Sequence, residues 1–174
     1  VTYGNGVFVA VANGGTVAAT SPDGITWTQR TLPASASWYS VTYGNGLFVA
    51  VAYGSNIAAT SPDGITWTQR TLPASASWLS VTYGNGVFVA VAYSSSIAAT
   101  SPDGITWTQR TLPTSTGWDS VTYGNGVFVA VASGFSAVAA TSPDGITWTQ
   151  RTLPPSANWY SVTYGNGVFV TVAS

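Results

Sequence analysis

The acids of this sequence recur at a fixed interval, and they are almost the only side chains in it that suit acid–base chemistry. All five acids are Asp and all four cations are Arg, whereas Glu, Lys, His, Cys and Met are absent. Without His or Cys, neither a Ser-His-Asp nor a Cys-His nucleophile can be assembled. Four of the acids stand 40 or 41 residues apart at one repeated position: Asp23, Asp63, Asp103 and Asp144.

The spacing of these acids predicts that they do not act together. Carboxylate pairs that catalyse glycoside hydrolysis lie about 5–10 Å apart, and equivalent positions of successive repeats are too far apart to share a proton or a water. The four Arg also occupy one repeated position, so they are expected to point outward rather than converge on a ligand. We therefore predict no catalytic residue, no metal site and no cofactor.

The charge distribution argues against nucleic acid and membranes as partners. A net charge of -1 with 5% charged residues offers no basic surface for phosphates. The longest apolar runs, such as 47–53, are far shorter than the roughly twenty residues of a membrane-spanning helix, so no membrane insertion is expected. The Ser/Thr-rich, Lys-free composition favours an extracellular or surface-exposed location. No targeting segment is visible, and the start at Val1 indicates a processed product or an excerpt of a longer chain.

Two segments recur along the whole chain. One of them, SPDGITWTQRTLP, begins at Ser21, Ser61, Ser101 and Ser142, and the other, VTYGNG, begins at Val1, Val41, Val81, Val121 and Val162. A fixed period of this size indicates stacked repeats. The predicted units are about 1–37, 38–77, 78–117 and 118–158, followed by a partial unit at 159–174. One extra residue enters within 133–137.

Each unit predicts four short β-strands. In the second unit they are expected at 38–43, 47–53, 57–61 and 65–72, with a loop over 73–77. Asn-Gly and Asp-Gly pairs between them accept the positive φ of hairpin turns, and the second strand is apolar on both faces, as for a strand covered on each side. The pattern predicts an all-β fold, namely a β-propeller built of four-stranded antiparallel blades with a period of about 40 residues.

The repeated turn resembles a known motif. Ser-Pro-Asp-Gly-Ile-Thr-Trp is similar to the Asp-box of the BNR repeat, which lies between the third and fourth strands of blades in sialidase-like propellers. The resemblance implies a structural role, in which Asp accepts backbone N–H bonds across the turn and Trp packs beneath it. The residues concerned are Ser21, Asp23, Gly24, Trp27, Ser61, Asp63, Gly64, Trp67, Ser101, Asp103, Gly104, Trp107, Ser142, Asp144, Gly145 and Trp148.

Sialidase chemistry is a further implication of this resemblance, and the residue types oppose it. It would need a converging Arg cluster, a Tyr nucleophile with a Glu partner and an Asp acid, yet the chain has no Glu. We therefore predict a non-enzymatic member of the family.

Differences among the units fall on one face of the predicted disc. Because strands alternate in direction, the loop before the first strand and the turn between strands two and three share this face; the turns are 13–15, 54–56, 94–96 and 134–136. Either these residues contact a ligand, or the loop sequences differ because nothing constrains them. The tryptophans are also expected as core residues between blades. The candidate ligand-binding residues are Trp38, Tyr39, Tyr53, Trp78, Leu79, Tyr93, Trp118, Asp119, Trp159 and Tyr160.

Three functions remain to be weighed. A non-catalytic scaffold or display module in a secreted, surface or fibre protein accounts for the repetition and low charge. A multivalent, lectin-like propeller would bind glycans through its aromatic and hydroxyl groups, and a sialidase-like glycoside hydrolase is least favoured. Because the sequence holds four units and half of a fifth, self-association or further blades are expected to close the ring.

Overall fold

The architecture consists of β-strands. The computed structural model describes residues 1–134, 137–154 and 157–174, so the predicted loop residues at 135–136 and 155–156 lie outside the described part of the chain. No helix occurs among the described residues. The strands are β1 (Thr2–Gly4), β2 (Val7–Val11), β3 (Val17–Ser21), β4 (Thr28–Thr31), β5 (Ser37–Gly44), β6 (Leu47–Tyr53), β7 (Ser55–Ser61), β8 (Thr68–Gly84), β9 (Val87–Tyr93), β10 (Ser95–Ser101), β11 (Thr108–Gly124), β12 (Val127–Ser133), β13 (Val138–Ser142), β14 (Thr149–Thr152), β15 (Trp159–Gly165) and β16 (Val168–Ala173).

The strands pair as antiparallel meanders. β1 to β4 form the first four-stranded sheet. β5 to β8, β8 to β11 and β11 to β14 form the next three sheets, and β15 pairs with β16 in a two-stranded fifth. The predicted all-β fold with four-stranded antiparallel units is confirmed.

The long strands β8 and β11 each belong to two successive sheets. The N-terminal part of β8 pairs with β7, and its C-terminal part pairs with β9. The loop predicted over 73–77 is therefore extended chain, in which Ala76 pairs with Ser55 across a register shift. The predicted fourth strand also starts later, at Thr68 rather than Ile65, because the intervening residues belong to the preceding turn.

The second strand of each inner unit is covered on both faces. In β6 every residue from Phe48 to Ala52 is buried. Alternate side chains of a strand point to opposite faces. Val49 and Val51 therefore pack into the core shared with the third unit, whereas Phe48 and its alternate neighbours pack into the core shared with the first unit.

Three tryptophans that were candidates for ligand contact are core residues, and that assignment is wrong for them. Trp38, Trp78 and Trp118 are at most 1% exposed. Each indole Nε1 donates to a backbone carbonyl four residues earlier, as Trp78 does to Ala74 at 3.2 Å. Because aromatic side chains bury large apolar areas, they stabilise the packing between sheets, which was their alternative predicted role.

Successive sheets approach most closely where a tyrosine ring lies on a glycine. The Tyr83 ring covers Gly44 of the preceding unit and leaves no room for a Cβ atom there. In the same interface the Val81 N–H donates to Ser40 Oγ at 3.1 Å. The tyrosine–glycine contact recurs as Tyr43 on Gly4, Tyr123 on Gly84 and Tyr164 on Gly124.

The first and last units each leave one face uncovered in this structure. For Gly165, the fifth glycine of the series, no atom of the described residues lies within 4 Å of the Cβ position. Tyr3 in the first unit and Val170 in the last are 58% and 51% exposed. Their counterparts in the inner units are covered by a neighbouring sheet.

We expect Gly84→Ala to lower the free energy of unfolding by about 1–3 kcal/mol, because the new methyl group overlaps with the Tyr123 ring. The matched control, measured at dilutions at which the chain is monomeric, is Gly165→Ala, which adds the same methyl at the same motif position where no atom of the described residues lies within 4 Å. Urea unfolding followed by tryptophan fluorescence measures both. Equal stabilities of the two variants would refute the proposed importance of the tyrosine–glycine contact.

Candidate functional site

A depression of about 420 Å³ opens on the face where the repeats differ from one another. This volume lies in the range of about 300–1,000 Å³ typical of small-molecule sites. Strand ends from four successive units reach it, so that residues about 40 positions apart become neighbours. Its lining residues are Tyr39, Tyr53, Leu79, Tyr93, Asp119, Ser133, Gly134, Asn158 and Tyr160.

The structure brings together six of the ten candidate ligand-binding residues. All six of the predicted non-tryptophan residues line the depression: Tyr39, Tyr53, Leu79, Tyr93, Asp119 and Tyr160. The three core tryptophans do not line it, and the half-buried Trp159 packs against Val131 and Val162 instead.

Three further residues line the depression that were not among the candidates predicted from the sequence: Ser133, Gly134 and Asn158. All three lie in the segments that differ among the units, which was the available signal. Gly134 and Asn158 are joined directly, since the Gly134 N–H donates to Asn158 Oδ1 at 2.9 Å. The turn after β12 is thereby fixed to the residue just before β15, where the fifth unit begins.

A β-bulge directs one residue of each unit toward this face. In β5, Trp38 pairs with Ala52 and Ser40 pairs with Val51, so Tyr39 is an extra residue without a cross-strand partner. The same register shift follows the tryptophan in the next three units. Because a bulge redirects side chains, the tryptophan remains in the core while the next residue reaches the depression.

Tyrosine rings form the apolar part of the depression. Tyr39, Tyr53 and Tyr160 are 47%, 40% and 51% exposed. The ring centroids of Tyr39 and Tyr53 lie 5.3 Å apart at an interplanar angle of 37°, and the Tyr39 hydroxyl accepts a hydrogen bond from Asn13 Nδ2 at 3.3 Å. The rings are therefore held by neighbours while part of their surface stays open to a ligand.

Asp119 is the polar centre of the depression and the one acid of the chain outside the repeated turns. Its side chain accepts hydrogen bonds from the Ser133 hydroxyl and backbone N–H. Its Oδ2 atom is buried, and no hydrogen-bond donor within the described ranges reaches that atom. Burial raises the pKa of this carboxyl above its ordinary value, against the opposing effect of the Ser133 bonds.

The SPDG turn, defined in the second unit as residues 61–67, is held by its own side chains. Ser61 Oγ accepts from the Gly64 N–H at 2.8 Å and donates to Asp63 Oδ1 at 2.9 Å. The same Asp63 oxygen accepts the N–H groups of the two residues after Gly64, at 2.8 and 2.9 Å. Trp67 Nε1 donates to the Gly64 carbonyl at 3.0 Å. The carboxylate is thus engaged within its own turn.

The other SPDG turns have the same arrangement, and their acids lie outside the depression. Backbone N–H donors, Thr66 first, hold the pKa of Asp63 below its ordinary value, and equivalent donors lower the pKa of its counterparts. The corresponding residues are Ser21, Asp23, Gly24 and Trp27, then Ser101, Asp103, Gly104 and Trp107, then Ser142, Asp144, Gly145 and Trp148.

The arginines lie on the outer part of the sheets. Arg70 Nε donates to Thr60 Oγ1 at 3.0 Å, and the other three arginines repeat this bond. None of them lines the depression. In the described ranges, no group of three or more His, Cys, Asp or Glu residues could hold a metal ion. The described chain also contains no helix of the length and apolarity needed to cross a membrane.

Four-stranded antiparallel sheets stacked face to face, with the loops of one face meeting at a depression, define a β-propeller. Residues 1–117 match the DUF6242 beta propeller domain. The chain belongs to this family, and the predicted β-propeller fold is confirmed. Among curated proteins, no match was found.

Solved structures of similar fold include two lyases and a peptide-bound protein. Virginiamycin B lyase from Staphylococcus aureus superposes with a TM-score of 0.80 at 18% identity, covering 90% of this chain and 56% of that one. A streptogramin B lyase gives 0.79 at 14% identity, with coverages of 91% and 55%. YCF48 bound to D1 peptide gives 0.63 at 16% identity, with coverages of 90% and 54%. The chain therefore spans little more than half the length of these proteins, and the likeness shows the fold alone.

The SPDG turns make the folded protein less stable at low pH. A folded-state pKa below the unfolded value of about 3.9 means that the stability from Asp63 is complete above that value and is lost as the pH falls through the folded pKa. We expect the melting temperature to fall steeply below about pH 4. Asp63→Asn, which keeps an acceptor oxygen but does not titrate, should flatten that fall, and Asp63→Ala should lower the melting temperature at every pH. An unchanged pH profile in both variants would contradict this role for Asp63.

Proposed function

We propose that this chain is a non-catalytic scaffold that presents one ligand-binding site, the depression lined by tyrosines and Asp119. The supporting observation is the convergence of the intrachain differences. The position after the repeated bulge tryptophan is Tyr39, Leu79, Asp119 or Tyr160 in successive units, and all four side chains line one depression. The repeated bulge brings these positions together, and a rigid scaffold that varies its side chains at one depression is suited to binding a ligand there.

A non-catalytic role is supported by the chemistry of the available groups. The carboxylates of the SPDG turns accept hydrogen bonds from backbone N–H groups of their own turns. Asp119 is the acid that lines the depression. A histidine-to-alanine variant of virginiamycin B lyase is described as catalytically inactive, and this chain has no histidine. A sialidase-like hydrolase would in addition need a Glu, which is absent from the sequence.

Carbohydrate is a second candidate for the function of this site. Exposed tyrosine faces can stack against a sugar ring, and the free Asp119 oxygen can accept a sugar hydroxyl. The described residues form this site from four units together, so a lectin-like, multivalent protein would need several copies of the chain. An extracellular or surface-exposed display protein, with glycans as partners, suits this second candidate.

Fluorine NMR of protein labelled with 3-fluorotyrosine tests the proposed site. Saturable binding of a ligand from a library of glycans and small aromatic compounds should shift Tyr39, Tyr53, Tyr93 and Tyr160 among the nine tyrosines of the chain. Tyr39→Ala and Tyr160→Ala should abolish the binding, and Ile65→Ala, whose exposed side chain lies outside the depression, should leave it intact. Binding by glycans supports the lectin-like function. Shifts spread evenly over all tyrosines would contradict a site in the depression.

We also propose that the uncovered faces of the first and last units take up further blades, from a second copy of the chain or from additional units. In the last unit, Val168, Val170 and Val172 are 57%, 51% and 57% exposed. The equivalent side chain Val9 is fully buried, and Gly64 of the following unit would place a Cβ against it. The exposed valines are therefore the half of an interface that the inner units already form.

Native mass spectrometry tests this association on the 174-residue chain. We expect species larger than the 17.9 kDa monomer, and Val170→Lys should shift them to monomer because a charge in an apolar interface opposes association. Thr149→Lys, which adds the same charge on the exposed strand β14, should leave the assembly unchanged. A monomer at all micromolar concentrations would count against self-association.

A further inference from the structure

Asp119 departs from its counterparts in both charge and surroundings. The equivalent bulge position holds Tyr, Leu and Tyr in the other units, so the acid is not required by the fold of the repeat. Its carboxylate is partly buried against Ser133, and its Oδ2 atom has no donor among the described residues. A buried acceptor without a partner is unfavourable, and a ligand that supplies the missing donor removes this penalty.

No cation of the protein neutralises this carboxylate. The four arginines donate to threonines on the outer part of the sheets and are absent from the depression, and the chain has no lysine or histidine. A partly desolvated charge interacts more strongly with an opposite charge than a fully hydrated one does. A positive ligand is therefore favoured over a neutral one at this position.

The tyrosines of the depression suit the same kind of ligand. Tyr39, Tyr53, Tyr93 and Tyr160 line it together with Asp119, and the Tyr39 and Tyr53 rings pack against each other with their centroids 5.3 Å apart at an interplanar angle of 37°. The face of an aromatic ring attracts cations, and groups of such rings recognise alkylated ammonium ions. An acid beside several aromatic rings satisfies both the charge and the apolar surface of such an ion.

We propose that the depression binds a ligand through a compact alkylated ammonium group, which lies against the tyrosine rings and pairs with the Asp119 carboxylate. This inference rests on the proposed ligand-binding function and names the ligand class of that site. The volume of about 420 Å³ accommodates the ammonium group together with a short neutral tail.

Choline and its neutral isostere 3,3-dimethyl-1-butanol distinguish a charge requirement from simple apolar burial. Isothermal titration calorimetry should show choline binding about tenfold or more tightly than the isostere, which is the ratio expected of a partly desolvated cation–π and ion-pair contact. Asp119→Asn should weaken choline binding about tenfold or more and leave the isostere unchanged. Tyr53→Leu should weaken choline binding, and Ile65→Ala, at an exposed side chain outside the depression, is the control.

The stability of each variant is checked by thermal melting, since Asn is nearly isosteric with Asp and a neutral side chain removes the burial penalty at position 119. Asp119→Asn should therefore melt at or above the temperature of the unmodified chain at neutral pH. Equal affinities for choline and the isostere would overturn the ammonium inference, as would choline binding that survives Asp119→Asn. Failure to bind choline at tens of millimolar also overturns it. A neutral ligand found by fluorine NMR at the same tyrosines would still support the proposed binding function.

Discussion

Each blade depends on its neighbours to cover the two faces of its second strand. β6 is buried on both sides, with Val49 and Val51 in one core and Phe48 in the other. An isolated four-stranded sheet would expose both faces of this strand to water, at a cost of about 25 cal/mol for each Å² of apolar surface. The unit of stability is therefore the interface between sheets rather than the sheet.

That interface explains why some motifs repeat without change. Gly44 has no side chain because the Tyr83 ring of the next unit occupies its space, and Gly64 is pressed against Val9 of the preceding unit. Asn45 and Gly46 adopt positive φ values of 47° and 76° to close the hairpin between the paired strands. Gly44 and Gly64 each contact a second unit, so a change at either position is opposed by the neighbouring unit.

The opposite face of the array is constrained differently. There, the residue after each bulge tryptophan has no register partner in the strand pair, so its identity can change while the core tryptophan stays. The same scaffold thereby presents Tyr39, Leu79, Asp119 and Tyr160 at one depression. The chemistry of the depression therefore varies at positions where the core fixes the backbone but does not restrict the type of side chain.

The sequence by itself determined the period, the antiparallel strands, the hairpin turns and the face on which the units differ. These follow from local chemistry, namely the alternation of apolar residues and the positive φ accepted by Asn-Gly and Asp-Gly pairs. Strand boundaries were less well determined: the segment at 73–77 is extended because it pairs with β7, a long-range contact that its Pro, Ser and Ala residues do not signal. Only the tertiary structure decided that Trp38 lies in the core while Tyr39 faces the depression, since strand register sets that division. It also decided that the Oδ2 atom of Asp119 is buried with no donor among the described residues, because that environment combines Ser133 of the same unit with side chains of neighbouring units.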